Sequence, residues 1–393
     1  MEFRNTMDIS DIAKQINPSP TRRLFDMASA YTDTIDFTLG DPDIKPPLKI
    51  RNAACKAIMA GKTRYSANAG LIELRRLIAK SVEKRNGIYY DPNKEIAVTI
   101  GAMEALYASL LCLLNKGDEV IILEPYWINY RQMVSMCGGK AVIVNKFDDA
   151  ERFIISADAI EAAVTDKTKA IIINTPNNPS GAVYGKDFME KIARIAVKHD
   201  ITVITDEVYR SLVYDGAEYT SILDFPDMRE KTVLVYSFSK EFAMTGWRIG
   251  YVAAPEPLVS AVTRLQENIV ACAPLASQHA VISVLADDMF GSDEIIDEFS
   301  KRRDVVIEEV LKTPKIRMNK PEGTFYAFIN IDDTGMDSET FAYRLLESEH
   351  VAVVPGSAYG ECFGNYIRIA FTLEVDKIKE GFTRIRDFIS TLQ

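Results

Sequence analysis

The sequence predicts an α/β protein with a mainly parallel sheet covered by helices in a large domain, followed by a smaller α+β domain. From Ile96 onward, short apolar β-branched runs alternate with segments of helical spacing, which is typical of parallel sheets with helices on both faces. The 393 residues are 47% hydrophobic and 26% charged, an ordinary composition for a globular chain with a large core.

Residues 1–49 are predicted to form an N-terminal arm that is also part of the small domain. An amphipathic piece at 9–16 and a helix near 21–30 precede a strand at 35–39, which runs into Gly40-Asp41-Pro42. A turn of this kind lets backbone N–H groups face a ligand, although a plain turn has the same composition.

Residues 50–289 are predicted to form the large domain. Helices at 51–60 and 71–85 flank a loop that carries Tyr65. Apolar runs then predict strands at 96–100, 119–123, 141–144, 170–173, 201–205 and 232–235, with helices at 101–114, about 257–270 and up to 286.

Residues 290–393 are predicted to form the small domain. The pattern indicates a charged helix up to 311, a helix near 338–348 and a final helix. It also indicates a turn plus strand over 321–329 and strands at 351–354 and 366–371. Arg368 alternates with apolar neighbours on the last strand and so projects from the opposite face. An arginine in such a place usually faces water or a nearby acid.

A lysine follows the predicted strand at 232–235, in Ser237-Phe238-Ser239-Lys240, and Arg248 brings a second cation eight residues later. Ligands of open α/β sheets bind outside the carboxyl ends of strands. A partly desolvated lysine there can lose its proton and attack an aldehyde, forming a Schiff base. The commoner alternative is a solvated loop lysine.

Other strand ends carry weaker signals of the same kind. The turn at Gly101 opens a helix, whose free N–H groups favour an anion. Asp206 ends a strand, and Tyr209 is expected on the same face of a first helical turn. Each signal also has an ordinary interpretation as a βα turn or a helix N-cap.

These motifs resemble the class I and II aminotransferases, fold-type I enzymes that use pyridoxal 5′-phosphate. The similarity rests on Ser-x-Ser-Lys followed by Gly-x-Arg-x-Gly at 237–250, and on Asn-Pro-Ser-Gly at 178–181. It covers nearly the whole chain, with the motifs in the family's order. It implies transfer of an amino group between an L-amino acid and a 2-oxo acid, of the aspartate, aromatic or broad-range type.

The resemblance also implies roles for single residues. Lys240 would bind the cofactor and move a proton, Asp206 would pair with the ring nitrogen, and Tyr209 and Asn178 would hydrogen-bond the phenolic oxygen. The cofactor-binding set is Tyr65, Gly101, Ala102, Met103, Trp127, Asn178, Asp206, Tyr209, Ser237, Ser239, Lys240 and Arg248. The substrate-binding set is Gly40, Trp127, Asn178 and Arg368, with Arg368 on the α-carboxylate.

The resemblance also assigns a role to Tyr65, because in this family a tyrosine at that position reaches the cofactor phosphate of the partner subunit. The resemblance therefore implies a homodimer with shared active sites. On the residues alone, a half-buried loop aromatic is the commoner interpretation of Tyr65.

Two other functions share these motifs. A C–S β-lyase would use the same Lys240, Asp206 and Arg368, and only its independence of a 2-oxo acceptor separates it. A cofactor-binding transcriptional regulator would need a DNA-binding domain, and only some 30 to 40 residues precede the body of the chain.

The expected substrate preference is inferred from Met103. Related bacterial enzymes that favour dicarboxylates often carry a lysine at this position of the turn. Met103 and Trp127 would instead line an apolar pocket, so we expect aromatic or other apolar amino acids to be at least as good donors as aspartate. A distal carboxylate would need another cation, such as Arg22 or Arg23.

Bulk properties exclude several classes of function. The net charge of −10 and pI near 5.1 argue against a nucleic-acid partner. Five scattered cysteines without CxxC spacing indicate reduced thiols in the cytoplasm and no metal site. The sequence shows neither a signal peptide nor an apolar run long enough for a membrane span. His199, His279 and His350 fall outside the motifs.

Overall fold

A computed structural model describes residues 9–16, 24, 26–289 and 291–392. Its helices are, in chain order, α1 (Asp11–Gln15), α2 (Leu48–Met59), α3 (Ile72–Asn86), α4 (Gly101–Leu113), α5 (Asn129–Met136), α6 (Ala157–Ala162), α7 (Lys186–His199), α8 (Phe238–Glu241), α9 (Glu256–Ile269), α10 (Leu275–Leu285), α11 (Asp293–Lys312), α12 (Ser338–Glu349) and α13 (Val375–Ser390). The helix predicted near 21–30 lies partly outside the described residues, and residues 26–28 are helical.

The strands are, in chain order, β1 (Ile35–Asp36), β2 (Ile96–Thr99), β3 (Glu119–Leu123), β4 (Lys140–Val144), β5 (Phe147–Asp149), β6 (Ile154–Ile155), β7 (Thr168–Asn174), β8 (Thr202–Asp206), β9 (Thr232–Ser237), β10 (Gly250–Ala253), β11 (Arg317–Met318), β12 (Tyr326–Asn330), β13 (Val351–Ala352), β14 (Val354–Pro355) and β15 (Tyr366–Ala370).

The central sheet has seven strands in the order β2-β10-β9-β8-β7-β3-β4. Parallel pairs join β9, β8, β7, β3 and β4, whereas β10 is antiparallel to both of its neighbours. The predicted α/β class is therefore confirmed. The carboxyl ends of β2, β3, β7, β8 and β9 all lie at one edge of this sheet.

Side chains on these strands alternate between two buried faces, as the pleat requires. On β9, Leu234 and Tyr236 pack with α3 and α10 on one side. Val233 and Val235 pack with α4 and α5 on the other. Both faces are covered by apolar helix surfaces, so burial of these strands stabilises the layered arrangement.

A second sheet, of order β11-β12-β15-β14, is antiparallel and belongs to the C-terminal part of the chain. The N-terminal arm joins this part, since β1 pairs in parallel with β13 through Ile35 and Val351. Phe37 of the arm is fully buried in the same core as Phe382 of α13. The domain boundaries at 49/50 and 289/290 stay predictions.

Several predicted elements were wrong in detail. The run 351–354 is not one strand, because β13 pairs with the arm while β14 pairs antiparallel with β15. The strand predicted at 35–39 ends at Asp36, whose Oδ1 accepts hydrogen bonds from both the backbone N–H and the hydroxyl of Thr38. The sequence patterns also missed β10 and the β5–β6 hairpin.

The helical turn expected after Asp206 is absent, since residues 208–211 form a hydrogen-bonded turn. Its bonds run from Arg210 N–H to Glu207 O and from Leu212 N–H to Tyr209 O. The chain then reaches Val213, which bridges to Gly323 of the C-terminal part. Across the ranges that the structure describes, no helix is both long and apolar enough to cross a membrane.

Candidate active site

One edge of the central sheet collects the segments that follow five strands. The Gly101 turn follows β2, Trp127 lies beyond β3, Asn178 lies beyond β7, and Asp206 is the last residue of β8. Lys240 lies in α8, directly after β9. Because parallel strands end at the same edge, residues far apart in the chain meet there.

A cavity of about 190 Å³ opens at this edge. Predicted site residues that line it are Gly40, Ala102, Met103, Trp127, Asn178, Asp206, Tyr209, Ser237, Ser239, Lys240 and Arg248. Gly101 and Arg368 are not among the lining residues, but each lies beside one of them, Arg248 and Asn178 respectively, and Tyr65 is placed elsewhere. The structure thus brings most of the predicted set together in one place.

The Lys240 amine is held against the N-terminal arm. Its Nζ donates a hydrogen bond of 2.6 Å to the carbonyl oxygen of Gly40 and lies 5.4 Å from the centre of the Phe325 ring. Burial lowers the pKa of this amine from 10.5 to about 8, with Arg248 and Arg368 acting in the same direction and Asp41 opposing them. A neutral amine is therefore accessible near physiological pH.

Gly40 has to be a glycine because of close packing. A Cβ atom built there would lie 1.9 Å from the hydroxyl oxygen of Tyr326. The arm can lie this close to Tyr326, with its carbonyl at Lys240, only without a side chain at position 40.

The Asp206 carboxylate is buried and hydrogen-bonded. The Tyr130 hydroxyl donates to Oδ2 at 2.6 Å, and the N–H of Val208 donates to Oδ1 at 3.3 Å. Burial raises the pKa of Asp206 to about 6, while the Tyr130 bond opposes this rise. Asp206 is therefore ionised at neutral pH, and its charge favours a cation placed in the cavity.

Arg368 is 4% exposed and faces the interior, not water or an acid. Its Nη1 donates to Asn178 Oδ1 at 3.4 Å, and Nη2 donates to the carbonyl oxygen of Thr38. Its guanidinium carbon lies 4.4 Å from the centre of the Tyr326 ring. In the described part of the chain its buried Nε has no hydrogen-bond partner, so this side chain keeps donor capacity for a carboxylate.

The other end of the cavity suits an anion. The N-terminus of α4 begins at Gly101, where free N–H groups and the helix dipole favour negative charge. Arg248 donates from Nη1 to the carbonyl oxygen of Thr245 at 2.8 Å. Ser237 Oγ accepts from the N–H of Ser239 at 3.1 Å, whereas the buried Ser239 Oγ has no partner among the described residues.

Sequence reasoning missed three side chains of this site. Tyr130 binds Asp206, and Tyr326 lies 3.2 Å from the Tyr209 hydroxyl. Asn174 donates from Nδ2 to the carbonyl oxygen of Asp206 at 3.0 Å. A signal existed for Asn174, since this polar residue directly follows the apolar run 170–173 and pairs with Asp206.

Tyr65 is not brought to the cavity by its own chain. Its side chain is 85% exposed, and it lines a separate surface cavity of about 730 Å³ with residues 62–64 and 272–276. Its predicted role therefore depends on a second subunit.

A larger cavity of about 900 Å³ adjoins the site. Met103 lines both cavities, and the larger one also contains Ile16 of the arm and Arg131 of α5. Arg22 and Arg23, named as possible partners for a distal carboxylate, lie outside the described residues. No cluster of metal-binding side chains is present in the ranges that the structure describes.

At this point the fold and the site define a class, the fold-type I transferases, in which a lysine at a strand end shares a cavity with a buried acid. Comparison with known proteins then identifies the family. Residues 32–385 match the family described as aminotransferase class I and II. The chain belongs to this family, and it is an aminotransferase, as the sequence predicts.

The relatives agree over nearly the full length. An aspartate aminotransferase of Pyrococcus abyssi is 40% identical over 381 residues, covering 96% of this chain and 97% of that protein. An aromatic-amino-acid aminotransferase of Thermococcus litoralis is 39% identical over 381 residues, with coverage of 96% and 97%.

Solved structures show the same likeness. The aspartate aminotransferase from Thermus thermophilus with maleate superposes with a TM-score of 0.91 at 32% identity, covering 97% of this chain and 100% of that one. The aromatic aminotransferase from Pyrococcus horikoshii gives 0.87 at 38% identity, covering 93% and 98%.

Proposed function

We propose that this aminotransferase binds pyridoxal 5′-phosphate at Lys240, works as a homodimer with shared active sites, and exchanges an amino group between an L-amino acid and a 2-oxo acid. The observation that carries the proposal is the Lys240 amine in one cavity with the Asp206 carboxylate. The amine's pKa is lowered to about 8, so it can act as a nucleophile and as a base.

The residues present fit the cofactor. Its phosphate needs a cation and hydrogen-bond donors, which the Arg248 guanidinium, the Ser239 hydroxyl and the N–H groups at the N-terminus of α4 supply. Its ring nitrogen needs a carboxylate if it is to stay protonated, and Asp206 supplies that charge. Its aldehyde needs an uncharged amine, which the lowered pKa of Lys240 supplies.

Each side chain then has a task in the reaction. Pyridoxal 5′-phosphate supplies an aldehyde that bonds to amines and a ring that accepts electron density. Lys240 Nζ would take the proton from the substrate Cα and deliver it to C4′ of the cofactor. Asp206 would keep the ring nitrogen protonated. Arg368 would orient the substrate α-carboxylate, and Asn178 and Tyr209 would hydrogen-bond the cofactor's phenolic oxygen.

The cavity also supports an apolar substrate side chain. Met103, Leu106 and Trp127 line it, and no lysine stands at the position of Met103. We infer that aromatic or other apolar amino acids are donors at least as good as aspartate. Steady-state kinetics with phenylalanine, methionine, alanine and aspartate would test this. A kcat/KM for aspartate about a hundredfold above the others, some 2.7 kcal/mol, would contradict it.

The place of action is inferred from the cysteines. All five are free thiols, which suits the reducing cytoplasm.

The test of the main proposal follows the absorbance of the lysine-bound cofactor. Adding a donor amino acid alone is expected to bleach this absorbance, and adding a 2-oxo acid is expected to restore it. Formation of 2-oxo acid through many turnovers without any acceptor would contradict transamination and indicate a lyase.

Lys240→Ala is the matched variant. It should retain cofactor without covalent attachment, because the phosphate ligands and Asp206 remain, but it should lose turnover. More than a small residual fraction of wild-type transamination would show that Lys240 is not the base.

A further inference from the structure

Two acidic residues lie directly behind the catalytic pair. Glu207 follows Asp206 at the end of β8, and Glu241 follows Lys240 in α8. Both side chains are almost fully buried, at 0% and 1% exposure. Neither lines the cavity, so each points away from the reacting groups while its neighbour points toward them.

Two arginines meet these acids. Arg85 Nη2 donates to Glu241 Oε1 at 3.0 Å, and Arg210 Nη1 donates to Glu207 Oε2 at 3.1 Å. We call Arg85, Glu207, Arg210 and Glu241 the buried charge network. Its formal charges balance. Although burial opposes it, the pKa of Arg85 is raised by Tyr236 and then by Glu241, and the pKa of Arg210 is raised by Glu207.

The two ion pairs are joined through the end of α3. Arg210 Nη1 donates at 2.8 Å to the side chain of Asn86, and Arg210 Nη2 donates at 3.5 Å to the carbonyl oxygen of Arg85. Glu207 Oε1 also accepts from Ser221 Oγ at 2.5 Å. The network therefore connects the segment after β8 to the segment after β9 through a third element.

Stability alone gives a weak reason for this arrangement. Moving four charges out of water is unfavourable, and apolar residues of similar volume commonly serve a core equally well. Charged hydrogen bonds differ from apolar contacts in being directional, so they hold a backbone in one place. β8 and β9 already pair through the N–H of Glu207 and the carbonyl of Val235 at 3.0 Å, but α8 lies beyond this ladder.

We propose that the buried charge network consists of positioning residues that hold α8 against the end of β8, and so fix the Lys240 amine relative to the Asp206 carboxylate. Its role in catalysis rests on the function proposed above. Loosening it should cost rate in the chemical step and leave substrate affinity nearly unchanged, because a misplaced base loses alignment with the substrate proton.

The test compares Glu241→Gln with Glu309→Gln. Glu309 is a matched control, since it is also buried, and its carboxylate accepts hydrogen bonds from Arg386 and Lys312 in the C-terminal part of the chain. We expect Glu241→Gln to lower kcat about tenfold or more with KM changed less than about twofold, whereas Glu309→Gln lowers only the melting temperature.

A second readout needs no cofactor. In the cofactor-free protein, amide hydrogen exchange in both 206–209 and 238–243 should be faster in Glu241→Gln and unchanged in Glu309→Gln. If Glu241→Gln does not fold, Arg210→Lys keeps the charge but loses the bridging geometry, and it should show the same changes to a smaller extent.

Wild-type kcat and wild-type exchange in the folded network variant would overturn the inference, as would equal changes in Glu309→Gln. Failure of the proposed function would look different. A wild-type protein without lysine-bound absorbance would refute the cofactor assignment, while the exchange comparison would still decide what the network does.

Discussion

At the scale of single residues, the site keeps a carboxylate in a place that is unfavourable for it. Asp206 is 3% exposed, and folding raises its pKa from 3.8 to about 6. The folded state therefore binds a proton more tightly than the unfolded state, and stability falls as pH rises from about 4 past about 6. At neutral pH the cofactor-free protein carries a destabilising buried charge.

Asp206→Asn should separate the effect of the buried charge on stability from its effect on catalysis. We expect the cofactor-free variant to be more stable than wild type at pH 8, by up to about 3 kcal/mol, because the buried charge is gone and Asn can still accept from Tyr130. Turnover should fall by orders of magnitude, since the ring nitrogen loses its counter-ion. Urea unfolding and single-turnover kinetics measure the two effects, and a near-normal rate would contradict the assignment.

Lys240 predicts a pH dependence of cofactor capture. Only the neutral amine attacks an aldehyde, and burial lowers its pKa from 10.5 to about 8. The rate at which the cofactor-free protein gains lysine-bound absorbance should rise about tenfold per pH unit and level off above about pH 8. Stopped-flow absorbance measures this rate. A midpoint near that of free lysine would show that the amine is solvated.

The sequence analysis found the site residues that carry charged side chains, such as Lys240, Asp206 and Arg368. It missed Tyr130 and Tyr326 because a tyrosine on a helix or strand looks like core. Their roles depend on the direction in which each side chain points, and only the fold determines that direction. Tyr326, for example, reaches Arg368 because β12 pairs antiparallel with β15 and places both on one face.

At the scale of elements, the first turn of α4 combines a left-handed backbone conformation with close packing. Gly101 has φ of +73°, and a Cβ there would lie 2.8 Å from Arg248 Nη2. Both facts follow from bringing a helix N-terminus and a guanidinium to one anion site. Only a glycine at position 101 leaves room for the Arg248 guanidinium.

Gly101→Ala should therefore weaken cofactor binding more than it weakens the fold. Gly61 is the control, because its φ is +68° and no atom lies within 4 Å of the place that a Cβ would take there. Both alanine variants should lose about 1 kcal/mol of stability through left-handed strain. Only Gly101→Ala should raise the Kd for pyridoxal 5′-phosphate, by about tenfold or more, because Arg248 must move. Equal Kd values for both variants would refute this.

The strands of the central sheet were predicted well. Strands were predicted poorly where consecutive residues pair with different sheets. The strands β3, β7, β8 and β9 each contain a core of apolar, mostly β-branched residues, which fits a sheet buried on both faces. The run 351–354 is equally apolar, yet it splits between two sheets. The apolar pattern of a segment indicates that it is buried. Which strand it pairs with depends on segments far away in the chain, such as β1.

At the scale of the whole molecule, Tyr65 is the predicted site residue that its own chain leaves in solvent. Ile58 and Met59, a few residues earlier at the end of α2, are exposed as well, at 53% and 86%. Exposed apolar side chains of this kind favour burial against a second subunit. The homodimer proposed above would cover them.

Mixing two inactive chains tests this assembly. Tyr65→Ala carries an intact Lys240, and Lys240→Ala carries an intact Tyr65. If Tyr65 serves the partner's site, each hybrid dimer has one complete site, and random mixing should restore about a quarter of wild-type activity. Activity that stays at the level of the Tyr65→Ala chain would show that Tyr65 acts within its own subunit. Light scattering should give twice the mass of one 44.0 kDa chain.

The pairing of β1 with β13 has a consequence for biosynthesis. Ile35 emerges from the ribosome more than 300 residues before its partner Val351. Until then the arm lacks its β13 partner, and the bonds that Lys240 and Thr245 donate to Gly40 and Asp41 are its links to the central domain. A nascent chain can complete the central sheet early, but closing so long a loop comes last. We therefore expect the arm and Tyr326 to complete the lining of the cavity only after Val351 has been synthesised and paired with Ile35.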